Sequence, residues 1–195
     1  MAASGGTPPI TAIIYEDGAA ADELLSKVAR HLVSRGVRVA GFVQDNVPCE
    51  NRPRCDMVLE ELATGERVRI SEDRGEYSRG CRLDVDSLLQ AESLARRALE
   101  QRPQLLVVNK FGKNEAMGGG FRPLIGEAMA RGVPILIVVA TRNLDAWREF
   151  TAGLSADHPI EALTGDVGEV CGRLGVAACR NREADARSVS RPATV

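Results

Sequence analysis

The sequence predicts a three-layer, doubly wound α/β fold around a mainly parallel β-sheet. Short, β-branched apolar segments alternate along the chain with longer segments in which apolar residues recur every three or four positions. The first unit comprises a strand at residues 11–15, a helix at about residues 20–35 and a strand at residues 38–43. A strand–helix–strand unit of this kind implies parallel strands joined by a right-handed crossover.

A β-hairpin is predicted inside this plan. Residues 57–62 and 66–71 alternate apolar and polar side chains, and they flank the turn residues 63–65, which end in a glycine. We expect this hairpin to add antiparallel strands to an otherwise parallel sheet.

The remainder of the chain returns to the strand–helix alternation. Helices are predicted at residues 84–103, 121–132, 143–153 and 166–175, strands at residues 105–109, 133–140 and 160–163, and a loop at residues 110–120. The segment 133–140 is the most apolar, and we place it centrally because strands covered on both faces are apolar throughout. Ligands of such sheets bind beyond the carboxyl ends of the strands, so the turns after Tyr15, Val43, Val108 and Ala140 are the places to examine.

Composition indicates one globular domain. The chain has 195 residues, of which 44% are hydrophobic and 27% charged, and we assign residues 10–178 to the domain, residues 1–9 to a flexible start and residues 179–195 to a disordered tail. The net charge of −2 provides no basic field for nucleic acid or a membrane surface. No apolar run is long enough to span a bilayer, and the first residues lack a secretory signal, so a cytoplasmic location is expected.

Three of the five cysteines, Cys49, Cys55 and Cys81, fall in polar segments. Thiolates bind zinc, but a closed zinc site has four ligands, and no Cys-x-x-Cys spacing is present. Free or paired thiols are therefore favoured over a metal site, and the sequence identifies no cofactor.

Two segments carry a resemblance to a known family. The order of strand, turn, helix and hairpin, with YEDGAAADELL at residues 15–25 and VVNKFGKNEAMGGGFR at residues 107–122, resembles the small P-loop nucleoside triphosphatases. More closely, residues 11–153 resemble a bacterial family, the domain of unknown function 2478, marked by the NKFGK-E-GGG-F stretch and by Cys-Arg-Leu-Asp at residues 81–84. Its members often lie beside molybdate-transport genes, and the resemblance implies no established activity.

The first-strand turn departs from the P-loop pattern. A P-loop wraps phosphates with glycine-rich backbone, a lysine and a Mg²⁺-binding hydroxyl. Here Glu16, Asp17 and Gly18 follow the strand, and residues 16–22 contain no Lys, Ser or Thr. Like charges about 4 Å apart repel by about 4 kcal/mol at an effective dielectric constant of about 20, so conventional ATP or GTP hydrolysis is not expected. Glu115, in the region of the nucleotidases' catalytic glutamate, cannot supply that mechanism alone.

The basic residues lie instead after the strand at residues 105–109. A triple glycine before a helix N-terminus lets backbone N–H groups approach an anion, and nearby cations add to the attraction. The predicted anion-binding residues are Asn109, Lys110, Lys113, Gly118, Gly119, Gly120 and Arg122, joined by Arg82 from a polar segment. Two alternatives stay open: the glycines are only a flexible connection, or Lys110 and Lys113 pair with Glu16 or Asp17, which requires the first and third strands to be adjacent as in the nucleotidases.

Three functions follow from this reading. The first is a non-hydrolytic accessory protein that binds a nucleotide or a small oxyanion, with a link to molybdate or molybdenum metabolism through the resemblance. The second is a divergent nucleoside-triphosphate phosphohydrolase or phosphotransferase that uses Lys110 in place of the P-loop lysine. The third is an interaction module without a small ligand, and homo-oligomer formation is left open.

Overall fold

The computed structural model describes residues 10–47, 56–71, 84–163 and 167–173. Its strands are β1 (Ile10–Tyr15), β2 (Val39–Val47), β3 (Asp56–Glu61), β4 (Arg67–Arg69), β5 (Leu105–Phe111), β6 (Ile135–Ala140) and β7 (Ser155–Pro159). Its helices are α1 (Gly18–Ser34), α2 (Val85–Glu100), α3 (Lys113–Ala116), α4 (Arg122–Ala130), α5 (Leu144–Thr151) and α6 (Val167–Arg173), with 3₁₀ turns at Thr141–Asn143 and Ile160–Leu163.

The strands form a seven-stranded sheet in the order β4-β3-β2-β5-β6-β1-β7. The five strands β2, β5, β6, β1 and β7 are neighbours in that order and pair in parallel. Strands β3 and β4 extend the sheet beyond β2 by antiparallel pairing. This arrangement confirms the predicted mainly parallel sheet and the hairpin. It also places β6 in the middle of the five parallel strands, as its uniformly apolar sequence predicted.

Two hydrophobic layers cover the sheet. Buried residues of α2, α4 and α5 pack with one face of the sheet, whereas buried residues of α1 and α6 pack with the other. The helix that follows β1 therefore lies on the opposite face from the helix that follows its neighbour β6. In doubly wound sheets, this change of side opens a crevice at the carboxyl ends of the two strands.

The predicted hairpin turn is organised by a buried carboxylate. Glu61 is fully buried, and its Oε2 accepts hydrogen bonds from the backbone N–H groups of Ala63 and Thr64 and from the Thr64 hydroxyl. Its Oε1 accepts a hydrogen bond from the backbone N–H of Gly41 at 3.2 Å. One side chain thus joins the turn to β2.

The sequence prediction was wrong at the last strand. Residues 160–163 form a 3₁₀ turn, and the strand is β7, which lies one segment earlier at the edge of the sheet. No residue of β7 is fully buried, so its sequence lacks the apolar pattern by which a strand is recognised.

The predicted loop at residues 110–120 was also too long. Strand β5 continues to Phe111, and α3 occupies Lys113–Ala116. The assignments of residues 1–9 and 179–195, and the candidates Cys49, Cys55, Cys81 and Arg82, fall outside the described residues.

Candidate functional site

A β-bulge in β5 organises the candidate site. Val108 pairs with Ile137 and Phe111 pairs with Val139, so two residues of β5, Asn109 and Lys110, stand opposite a single residue of β6. The side chains of Val108 and Phe111 pack in the same hydrophobic layer despite the odd spacing between them. The bulge absorbs the extra residue and re-aims its side chain, so Lys110 reaches α1 on the opposite face of the sheet.

Lys110 meets an acidic residue of α1. Its Nζ lies 3.4 Å from Asp22 Oδ1 and 3.5 Å from Asp22 Oδ2. Asp22 is buried in the stripe of α1 that otherwise packs apolar residues against the sheet. The Lys110 side chain remains 33% exposed, so the ion pair stays open to solvent on its lysine side.

A chain of amide groups continues from this pair. Asn109 donates a hydrogen bond from Nδ2 to Gln44 Oε1 at 3.0 Å, and Gln44 donates from Nε2 to Asn46 Oδ1 at 2.9 Å and to Asp22 Oδ2 at 3.5 Å. Backbone pairing between β2 and β5 ends at Gly41 and Val107, so side chains rather than backbone connect these strands at their carboxyl ends.

Two buried oxygen atoms of this network accept no hydrogen bond from the described residues. They are Asp22 Oδ1, which is in ion-pair contact with Lys110, and Asn109 Oδ1. Asp22 is 8% exposed and Asn109 is 4% exposed. Buried acceptors are nearly always satisfied in folded proteins, by protein atoms, ordered water or a ligand.

Burial controls the protonation of this region. It raises the pKa of the Asp22 carboxyl above its ordinary value, and the neighbouring Lys110 ammonium opposes that rise. Burial also raises the pKa of the Tyr15 hydroxyl, with a further rise from Asp22 and a partial reduction from Arg142. Tyr15 ends β1 and Arg142 follows β6, so these residues lie at the crevice between the two strands.

The first-strand turn differs in shape from a phosphate-binding loop. Only Glu16 and Asp17 separate β1 from α1, which leaves no loop long enough to wrap a phosphate chain. Asp17 caps α1, and its Oδ1 accepts a hydrogen bond from the backbone N–H of Ala19 at 2.9 Å. A carboxylate of the protein therefore occupies the helix N-terminus where a P-loop binds phosphate.

The loop with the triple glycine packs against another carboxylate of the protein. Glu115 is buried, and its two oxygens accept hydrogen bonds from the backbone N–H groups of Gly112 at 2.9 Å and Phe121 at 3.0 Å. Gly120 lies directly against this carboxylate. Arg122 donates to the backbone oxygen of Glu115 at 3.2 Å and lies over the Phe150 ring.

The predicted anion-binding residues thus fall into two groups. Asn109 and Lys110 join the network of Asp22 at the carboxyl end of β5, whereas Gly118, Gly119, Gly120 and Arg122 follow α3. Of this second group, Gly120 lies against the Glu115 carboxylate, and Gly118 and Arg122 donate hydrogen bonds to the Glu115 backbone oxygen. Lys113 begins α3 and is exposed, and it forms no ion pair within the described part of the chain. Pairing of Lys110 or Lys113 with Glu16 or Asp17 required β1 and β5 to be adjacent. This condition was wrong, because β6 lies between the two strands.

An open cleft of about 430 Å³ lies beside Asp22, between α1 and the end of β2. It is lined by Ala19, Asp22, Glu23, Ser26, Lys27, Gln44, Asp45 and Asn46. Sequence reasoning did not find the roles of Asp22 and Gln44. The available signal was an acidic residue at a position where the helical periodicity of α1 calls for an apolar one.

Across residues 10–47, 56–71, 84–163 and 167–173, no three His, Cys, Asp or Glu side chains are grouped as metal ligands. No helix within these ranges is long and apolar enough to cross a membrane.

The mainly parallel strand order and the helices on both faces of the sheet define the class of the protein. It is an α/β protein of P-loop nucleoside triphosphatase type with a β-hairpin insertion. The chain belongs to the DUF2478 family of proteins of unknown function, whose model matches residues 10–164.

Similarity to an ATP-binding protein supports this classification. Over 145 residues, the chain is 34% identical to the molybdenum import ATP-binding protein ModC 2 of Bradyrhizobium diazoefficiens, which covers 74% of this chain. The chain spans only 16% of the length of that relative. No solved structure matches the chain.

Proposed function

We propose that this protein is a non-hydrolytic accessory protein that binds a nucleotide or a small oxyanion at the carboxyl ends of β2, β5 and β6, beside α1. The observation that carries the proposal is the delivery of Lys110, by the β5 bulge, to the buried Asp22 beside an open cleft. Asp22 is more than nine-tenths buried, and holding its carboxylate beside the Lys110 ammonium costs desolvation free energy. A ligand site at this crevice explains the arrangement.

The charges available for an anion are Lys110, Lys113 and Arg142. Lys113 and Arg142 are exposed, follow neighbouring strands, and form no ion pair with another described residue. An exposed cation near the carboxyl ends of the strands attracts an anion, and its removal leaves the folded protein intact.

Binding without hydrolysis follows from the turn after β1. Residues 16–22 provide no lysine for the phosphates and no hydroxyl for Mg²⁺, and Asp17 occupies the N-terminus of α1. The link to molybdate rests on the similarity to a molybdenum import ATP-binding protein. An accessory role in the uptake or handling of molybdate is the function we infer from it.

One set of measurements tests the proposal. ATP, GTP, molybdate and tungstate are titrated into the purified protein by calorimetry, and phosphate release is then assayed. Binding without phosphate release, weakened at least about tenfold in Lys110→Gln and Lys113→Ala, is the expected result. Arg35→Ala is the matched control, because Arg35 is an exposed cation at the C-terminus of α1, near the amino ends of the strands.

Two outcomes contradict the proposal. Phosphate release that depends on Lys110 would identify a phosphohydrolase or phosphotransferase instead. Absence of any binding would favour an interaction module, in which Lys110 does no more than neutralise Asp22. Thermal unfolding of each variant shows whether the fold is retained.

A further inference from the structure

The cleft beside Asp22 has the wrong chemistry for a bare oxyanion. Three of its lining residues, Asp22, Glu23 and Asp45, are acidic, against the single lysine Lys27. Glu23 is paired with Lys27 at 2.6 Å, and Asp45 lies 3.1 Å from the Arg67 guanidinium. These partners neutralise charge but leave carboxylate oxygens, each with more than one lone pair, facing the cleft as acceptors.

The buried acceptors at its inner end strengthen this conclusion. Asp22 lines the cleft and is 8% exposed, and its Oδ1 faces the Lys110 ammonium at 3.4 Å but accepts no hydrogen bond from the described residues, so lone pairs of this oxygen remain open. Asn109 Oδ1, which belongs to the same side-chain network, also accepts no hydrogen bond from the described residues. An unmet buried acceptor is satisfied by a hydrogen-bond donor, such as a hydroxyl or an amino group, and not by another oxyanion.

The size of the cleft agrees with an organic ligand. Ligand sites commonly measure roughly 300–1,000 Å³, and the volume of about 430 Å³ lies in this range. A tetrahedral oxyanion would leave most of the cleft and all of its acceptors without contact.

We propose that Asp22, with the surrounding cleft, binds the hydroxyl- or amino-bearing part of a nucleoside, while the exposed cations Lys113 and Arg142 face the phosphates. This inference rests on the proposed function and selects a nucleotide over a free oxyanion as its ligand. Lys110 lies between the proposed nucleoside-binding part and the proposed phosphate-binding part, because its ammonium group contacts Asp22 while a third of its side chain is exposed.

Calorimetric titrations with adenosine, guanosine, ATP, GTP, phosphate and molybdate test the inference on the full chain. The wild-type protein is expected to bind at least one of the two nucleosides without its phosphates, and its nucleotide more tightly than phosphate or molybdate. In Asp22→Asn, an acceptor oxygen becomes a donor amide, so nucleoside affinity should fall about tenfold or more. Molybdate affinity should stay the same or rise.

The control is Asp145→Asn, which removes one exposed carboxylate from α5 on the other face of the sheet. It should leave nucleoside binding unchanged. Oxyanion binding without nucleoside binding, or nucleotide binding that Asp22→Asn does not weaken, overturns the inference while the proposed function stands. Ordered water alone would then satisfy Asp22. Failure of every ligand to bind overturns the proposed function itself.

Discussion

Gly120 approaches Glu115 so closely that a Cβ at position 120 would lie 2.0 Å from Glu115 Oε1. Its φ of 56° is in the left-handed region, where side chains with a Cβ are strained. We expect Gly120→Ala to lower the free energy of unfolding by about 2–4 kcal/mol, from backbone strain and from displacement of a carboxylate that accepts two backbone hydrogen bonds. Urea denaturation measures this loss.

The neighbouring glycine serves as the matched control. A Cβ at Gly119 would meet its nearest atom, the backbone oxygen of Asn114, at an ordinary 3.6 Å, and its φ is not positive. Gly119→Ala should therefore change the free energy of unfolding by less than about 1 kcal/mol. Equal losses at the two positions would show that the Glu115 contact does not constrain this loop.

Glu61 provides a second stability prediction. Glu61→Gln replaces one acceptor oxygen by an amide that faces N–H donors, and four donor contacts converge on this side chain. We expect a loss of about 1–3 kcal/mol in the free energy of unfolding. The exposed Glu66→Gln, in the same hairpin turn, should stay within about 0.5 kcal/mol of the wild type. A small effect of Glu61→Gln, measured in the same denaturation series, would contradict the role given to its carboxylate.

Asp22 should make stability depend on pH. Burial raises the pKa of its carboxyl in the folded protein, so its stabilising contribution is complete below the unfolded-state pKa of about 3.9 and is lost as the pH rises through the higher folded pKa. Asp22→Asn lacks this loss. Its free energy of unfolding, relative to the wild type, should therefore increase between pH 3.5 and pH 7, as measured by denaturation at each pH. A decrease over that interval would show that the ion pair with Lys110 outweighs burial.

The contact between α1 and the hairpin predicts a measurable coupling. Arg30 donates from Nη1 and Nη2 to the two carboxylate oxygens of Glu60 at 3.0 and 2.9 Å. The pair is half exposed on the arginine side, and a double-mutant cycle of Arg30→Ala and Glu60→Ala should give a coupling of about 0.5–1 kcal/mol. Added salt should reduce it, and a coupling near zero would show that this ion pair does not help to hold the hairpin to α1.

Most of the fold could be predicted because its signals are local. The apolar periodicity of α1 and α2 and the uniformly apolar β6 identify these elements without knowledge of their neighbours. Strand β7 was missed because an edge strand with half-buried polar residues carries no such signal. The strand order could not be predicted from the sequence either, because strand pairing depends on contacts between segments that are distant along the chain.

The candidate site was predicted only in part. Lys110 was identified, but the partners considered for it were Glu16 and Asp17, and its partner is Asp22. Alternation along β5 would place Lys110 on the face of the sheet opposite Asn109. Only the register against β6 shows the bulge by which Lys110 reaches the face that α1 covers. A feature that depends on pairing between two distant segments is outside the reach of a local pattern.

The β5 bulge implies that the number of residues between Val108 and Phe111 specifies the candidate site as much as the identity of those residues does. Deletion of one residue between Val108 and Phe111 would restore regular alternation and turn the following side chain away from α1. No single substitution can restore what that deletion removes. Among related proteins, a gap at this point of an alignment would therefore mark the loss of the site even where the lysine itself is kept.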